Sequence, residues 1–316
     1  MAKAGCQNAV VQERAESISN RKQVDQMNQG DKVGIVCCSN GRPHTQTGVE
    51  KTDRLECVLR EMGLIPVFSD YIYEKEDGSP FSGSGKERAD GLMRFYQDPQ
   101  IAAIFDISGG DIANEILPYL DFAGIEKSGK QFWGYSDLTA VINAVYAKTG
   151  KSSVLYQVRN LIGTDAKNQI RRFSDTVLGG GKSLYLSGCN FLQKERMQGI
   201  VVGGNIRCLL KLAGTPFWPD MREKILLLEG FHGGVAQLTA YFAQLQQMGV
   251  FAQINGLLLG TFTELEQKGY ALFAAELAKQ FAGADIPVAR TGEIGHGADA
   301  KAIVIGRELI LQGALC

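Results

Sequence analysis

No apolar run in this sequence of 316 residues approaches the ~20 positions that a membrane-spanning helix needs. The opening stretch MAKAGCQNAVVQERAESISN also lacks the apolar centre of a secretory signal, which predicts a cytoplasmic protein without membrane contacts. Net charge is nearly absent. The 33 lysines and arginines stand against 34 acids with no long block of either sign, which argues against nucleic acid as a partner. Histidine is scarce, at three residues, and no set of His, Cys and carboxylate has zinc spacing, so no metal is expected. The seven cysteines (Cys6, Cys37, Cys38, Cys57, Cys189, Cys208, Cys316) are odd in number and contain no CxxC pair. They read as reduced thiols, mostly in the core.

Several motifs are missing as well. Gly85-Lys86 is followed by Glu87 and preceded five positions earlier by Pro80, and Gly181-Lys182-Ser183 has Thr176 where a phosphate loop needs its first glycine. Gly109-Gly110 is too little for a dinucleotide fingerprint, so no cofactor is predicted. The nucleophile elbow G-x-S-x-G fails at Leu138.

What remains is an ordinary globular composition, 45% hydrophobic and 21% charged, in a chain long enough for two domains. Short apolar runs at 33–38, 64–68, 101–107 and 131–135 alternate with helical spacing at 52–62, 86–96 and 138–149. That rhythm predicts a parallel sheet with helices on both faces. A second series of strands follows at 199–202, 225–228, 254–262, 287–289, 302–305 and 309–311. The predicted organisation is α/β throughout: an arm over 1–28, an N-terminal domain over 29–150, a crossing segment over 151–198, and a strand-rich C-terminal domain over 199–316.

Ligands of such sheets gather beyond the carboxyl ends of the strands, and Ser39, Gly109 to Asp111 and Ser136 all fall there. In Gly134-Tyr135-Ser136-Asp137, a serine on a tight strand-to-helix turn has its hydroxyl lifted clear of the sheet. A serine before a helix is more often only an N-cap, and the motif alone does not decide for a nucleophile. His44, His232 and His296 each lie in a loop, and glycines on both sides of His296 keep its ring reachable. Glu229 closes the run ILLLE and so carries a carboxyl group to a sheet edge. A serine, a histidine and an acid would together make a nucleophile, a general base and an orienting group. Cys37 and Cys38, near a strand end, read as buried thiols rather than nucleophiles.

Several blocks in order carry a family resemblance: GDKVGIV at 30–36, SGGDIANEILPYLDF at 108–122, GYSDLTA at 134–140, GGN at 203–205, GTPFWPD at 214–220, ILLLE at 225–229, LGTFT at 259–263 and GHG at 295–297. From about Asp31 to Gly306 the chain resembles the LD-carboxypeptidase family of serine peptidases, which includes the microcin C immunity peptidases. The resemblance implies an N-terminal parallel α/β domain, a C-terminal strand-rich domain and a site between them. It implies Ser136 as nucleophile, Glu229 as triad acid, His296 as base, and the backbone amides of Gly110 and Asp137 as the oxyanion hole. No metal or cofactor is implied, and a homodimer is.

Departures bear on the substrate. Ser108-Gly109-Gly110-Asp111-Ile112 replaces the Arg-Gly-Gly-Tyr-Gly of many members, and Tyr156-Gln157-Val158 replaces a His-Gly-Pro or Tyr-Gly-Pro. Asp111, Tyr156 and Arg159 are placed as substrate contacts, with Arg42, Arg159 and Lys301 as candidates for a terminal carboxylate. The expected reaction is amide hydrolysis through an acyl-enzyme, removing terminal D-alanine from a murein tetrapeptide. Cleavage of a peptidyl- or aminoacyl-nucleotide is the alternative, with Tyr156 as the aromatic that would stack on the base; a non-catalytic peptide-binding homologue is a third reading.

Overall fold

Buried apolar runs place the strands of the protein, whose structure is a computed structural model describing residues 9–12 and 26–313. The rest of the predicted arm and residues 314–316 lie outside the described residues. In chain order, β1 (Ala9–Gln12), β2 (Lys32–Val36), β3 (Ile65–Phe68), β4 (Ile101–Asp106), β5 (Gln131–Gly134) and β6 (Ser153–Leu155) come first. They are followed by β7 (Gly188–Gln193), β8 (Arg196–Asn205), β9 (Lys224–Gly230) and β10 (Gly256–Phe262). The last are β11 (Val288–Arg290), β12 (Ile303–Ile305) and β13 (Glu308–Gln312).

The first sheet runs β12-β6-β5-β4-β2-β3. Its members β2 to β6 are parallel, as their rhythm predicts, but β12 adds an antiparallel edge on β6. The second sheet closes into a barrel, β1-β13-β8-β9-β10-β11-β7, with β7 pairing back to β1. The fold is thus two α/β domains built on two mixed sheets.

Strands cross three of the predicted boundaries. The 151–198 segment is not merely a crossing: β6 belongs to the first sheet and β7 to the barrel. The 199–316 segment sends β12 back to the first sheet, where all three of its residues are buried. The 1–28 arm contributes β1 to the barrel. An open strand edge is a liability, and both additions cover one.

The helix Thr139–Thr149 couples the domains. Thr139 to Val145 are all buried, so the helix is covered on every side rather than along one stripe. Its Asn143 brackets Gly203 at the end of β8, accepting from the Gly203 amide at 2.8 Å and donating to its carbonyl at 2.9 Å. Thr139 Oγ1 accepts from the Asn205 amide at 3.0 Å. An unpaired backbone group here would cost about 1–3 kcal/mol. Gly204 between them has φ of +132°, and a Cβ there would come within 2.8 Å of Thr139 Oγ1. Asn205 lies beside Glu229 in the β8–β9 register. The helix that follows Ser136 is therefore bolted to the strand next to the acid.

Candidate active site

Of residues 131–145, Ser136 alone is not buried. Strand β5 delivers it to the carboxyl edge of the sheet, and a turn over Ser136–Leu138 leads into the helix Thr139–Thr149. Its φ is +57°, a left-handed conformation that L residues rarely hold without a reason. The N-cap alternative is not realised: neither the turn nor the helix has a side-chain cap. The hydroxyl instead lies 3.1 Å from His296 Nε2, and His296 Nδ1 lies 2.8 Å from Glu229 Oε2.

An ionised carboxyl group can only accept, so Nδ1 carries the proton to Glu229 and Nε2 is left to accept from the serine hydroxyl. Glu229 is fully buried on β9. His296, in the loop between β11 and β12, is held by aromatic contacts: Tyr135 meets its ring edge-on at 4.9 Å and Phe231 stacks at 4.8 Å. Burial, and after it the charge of Glu229, pushes the Tyr135 phenol well up, so it stays protonated beside the acid. The arrangement can move a proton from the Ser136 hydroxyl to His296 and stabilise the imidazolium that results.

A cavity of about 530 Å³ opens over the serine. Gly110, Gln157, Arg42, Arg159 and Asn160 line it from the first domain, and Phe231 and Gly295 to Gly297 from the second. Gly110 has φ of +136°, and a Cβ there would stand 2.1 Å from Asn40 Oδ1, so only glycine brings its backbone to this wall.

Buried polar side chains fix the loops around it. Asp106 accepts from the amides of Cys38 and Ser108, both at 2.7 Å, and from Ser108 Oγ at 2.5 Å. Ser108 Oγ accepts from the Ser39 amide, and Ser39 Oγ donates to Asp137 Oδ2 at 2.7 Å. The fully buried Asp137 also takes the Ala113 amide at 2.8 Å and an ion pair from Lys211 of the second domain. Lys211 further donates to the Asp111 carbonyl at 2.7 Å, and Arg207 to the Gly110 carbonyl at 3.1 Å. The loop carrying Gly110 and the turn carrying Ser136 are thus clamped from both domains.

Ser136, Glu229, His296, Gly110, Arg42 and Arg159 converge. Three other predicted contacts do not fit the cavity. Tyr156 is 1% exposed, packs edge-on to Trp133 and donates to Gln169 Oε1 at 2.9 Å, so it is core and not part of the cavity wall. Lys301 is held by Glu293 and Ser187, both at 2.6 Å, and is no free cation for a carboxylate. The Asp111 carboxylate is exposed but paired with Arg207 across the domains. Of the other histidines, His44 stacks on Tyr73 and His232 points outward near Glu264. Cys37 and Cys38 are buried, with thiols pushed up first by burial and then by Asp106. Phe231, Lys211 and Asp106 escape sequence reasoning. Only Phe231 leaves a trace, as an aromatic among glycines two positions after a strand-end acid.

Residues 33–156 match the LD-carboxypeptidase N-terminal domain and residues 198–311 the LD-carboxypeptidase C-terminal domain. The chain belongs to the LD-carboxypeptidase family. Among its relatives is the microcin C7 self-immunity protein MccF of Escherichia coli, 26% identical over 90% of this chain and 91% of that one. Another is the murein tetrapeptide carboxypeptidase of Pseudomonas aeruginosa, 24% identical over 83% and 89%. The structure of muramoyltetrapeptide carboxypeptidase from Oxalobacter formigenes superposes with a TM-score of 0.72, covering 90% of this chain and 99% of that one at 24% identity, which shows the shared fold. This family member is accordingly a peptidase with carboxypeptidase homologues. Among the described residues no helix is long and apolar enough to cross a membrane, and no cluster of three His, Cys, Asp or Glu could hold a metal.

The clamp between the two LD-carboxypeptidase domains makes a prediction of its own. Lys211→Met leaves the Asp137 carboxylate buried without its cation, and unfolding in urea should show a loss of about 3–5 kcal/mol. A midpoint unchanged from the wild type would mean that the ion pair adds nothing to the stability of the folded protein.

Proposed function

We propose that this protein is a serine carboxypeptidase that removes terminal D-alanine from murein tetrapeptides through an acyl-enzyme. The observation that carries the reading is the continuous hydrogen-bonded line Ser136–His296–Glu229, opening into a cavity large enough for a short peptide. As the Ser136 Oγ attacks the carbonyl carbon, His296 Nε2 takes the hydroxyl proton. The developing oxyanion faces the backbone amides of Gly110 and Asp137. The tetrahedral intermediate collapses, the C–N bond breaks, and His296 gives its proton to the departing amine. A water then attacks the acyl-serine, losing its proton to His296; the ester C–O bond breaks, His296 returns the proton to Ser136 Oγ, and the shortened peptide leaves as a carboxylate.

One observation favours a second reading. Phe231 is 41% exposed at the cavity wall and offers a ring on which a nucleobase could stack, the role that Tyr156 cannot fill. Purified protein incubated in parallel with L,D-tetrapeptide and with a peptidyl-adenylate analogue separates the two. Release of D-alanine is expected to have the larger kcat/KM; a faster adenylate reaction would replace the murein reading with the immunity one.

A further inference from the structure

We propose that Arg42 and Arg159 together form the subsite for the free carboxylate of the substrate's departing residue, an inference that rests on the carboxypeptidase reading above. Both guanidinium-bearing residues line the cavity that holds Ser136 and His296. Among the described residues neither takes part in an ion pair, and two like charges in one cavity are costly until an anion joins them.

The chain supplies its own comparison. Arg88, 2% exposed, is an arginine with a structural task, and its donors are spent on it. They reach the carbonyls of Gly83, Cys38, Ser39 and Ile112 and the carboxylate of Glu115. Among the described residues Arg159 makes a single side-chain hydrogen bond, at 3.4 Å to the Ser108 carbonyl, and its buried Nε has no partner. Its guanidinium is pulled down to about 10, first by burial and then by the charge of Arg42. The charge of Asp106 offsets this only in part, and both of its oxygens are already bonded to Cys38 and Ser108. A guanidinium that is desolvated, under-bonded and beside a second one is what a carboxylate, with its several acceptor sites, would complete.

The position suits the departing residue. Arg159 Nη2 packs against Gly109, next to the Gly110 wall, so an anion held there shares the cavity with the Ser136 hydroxyl. Recognition of this kind makes the enzyme an exopeptidase: a chain that continues past the departing residue has no anion to offer.

The test pairs a tetrapeptide ending in D-alanine with the same peptide ending in D-alaninamide. The wild type should favour the free acid by on the order of 100-fold in kcat/KM, the worth of a good charge-assisted contact. Arg159→Met and Arg42→Met should each lower the rate on the acid and leave the amide nearly unchanged, with Arg159→Lys restoring part of the preference. Equal cleavage of both peptides by the wild type, or equal losses on both in the variants, overturns the subsite while leaving the peptidase reading intact. Cleavage of neither peptide removes the peptidase reading instead. Calorimetric titration of Ser136→Ala with both peptides then judges the subsite alone: acid-selective binding that Arg42→Met abolishes supports it, and equal binding overturns it.

Discussion

Ser136→Ala is expected to reduce turnover of a cleavable peptide by on the order of 10⁶, because the residues of a triad act as a unit and losing the nucleophile costs about as much as losing all three. KM should change little, since the cavity walls are untouched. The same position allows a second readout. With φ of +57°, Ser136 sits where a Cβ is disfavoured by about 1–2 kcal/mol and glycine is not. Ser136→Gly should therefore be as inactive as Ser136→Ala yet melt at a higher temperature. Such a pattern marks strain kept for function, since a serine kept only to start a helix would weaken the fold when lost. Labelling by a reactive serine probe should disappear in both variants. Residual hydrolysis within tenfold of wild type in either one would remove Ser136 from the chemistry.

Much of this site is legible in the sequence because it depends on local rules. An apolar run that stops at Gly134-Tyr135-Ser136-Asp137 before a helical pattern already says that the serine stands on a sheet edge, and ILLLE says the same of Glu229. The scarcity of histidine shortens the search, although nothing local separates His296 from His44 and His232. Their difference arises from long-range placement, as β10 and β11 bring the 291–297 loop over β5. Closure of the barrel by β1 and the return of β12 to the first sheet are illegible for the same reason. A strand's period states which residues face inward and nothing about which edge it will join. Tyr156 fails because an aromatic at a strand end reads alike whether it faces a cavity or the Trp133–Phe173 cluster beneath it. Lys211 is invisible because its importance comes from Asp137, 74 positions away in sequence and in the other domain.

Glu229→Gln should cost about 10⁴ in kcat, less than loss of Ser136, with the fold intact. The substituted side chain would present an amide to His296 Nδ1. If its NH₂ group faces the ring, Nδ1 becomes the acceptor and Nε2 carries the proton, pointing a donor at a hydroxyl that must itself be deprotonated. If the amide oxygen faces the ring instead, the tautomer is kept, but the imidazolium formed in the transition state loses the negative charge that stabilises it. Either orientation slows the step that moves the Ser136 proton and leaves peptide binding alone, so the loss should fall on kcat with KM near its wild-type value. Stability supplies the control. Glu229 is fully buried and its Oε1 has no hydrogen-bond partner among the described residues, so a neutral isostere removes a desolvation cost and the melting temperature should hold or rise. A stable, inactive Glu229→Gln whose Ser136 still reacts slowly with a serine probe fits a carboxylate that orients and stabilises the base. Activity within tenfold of wild type would mean that His296 needs no partner, leaving Glu229 a buried acid without a part in the reaction.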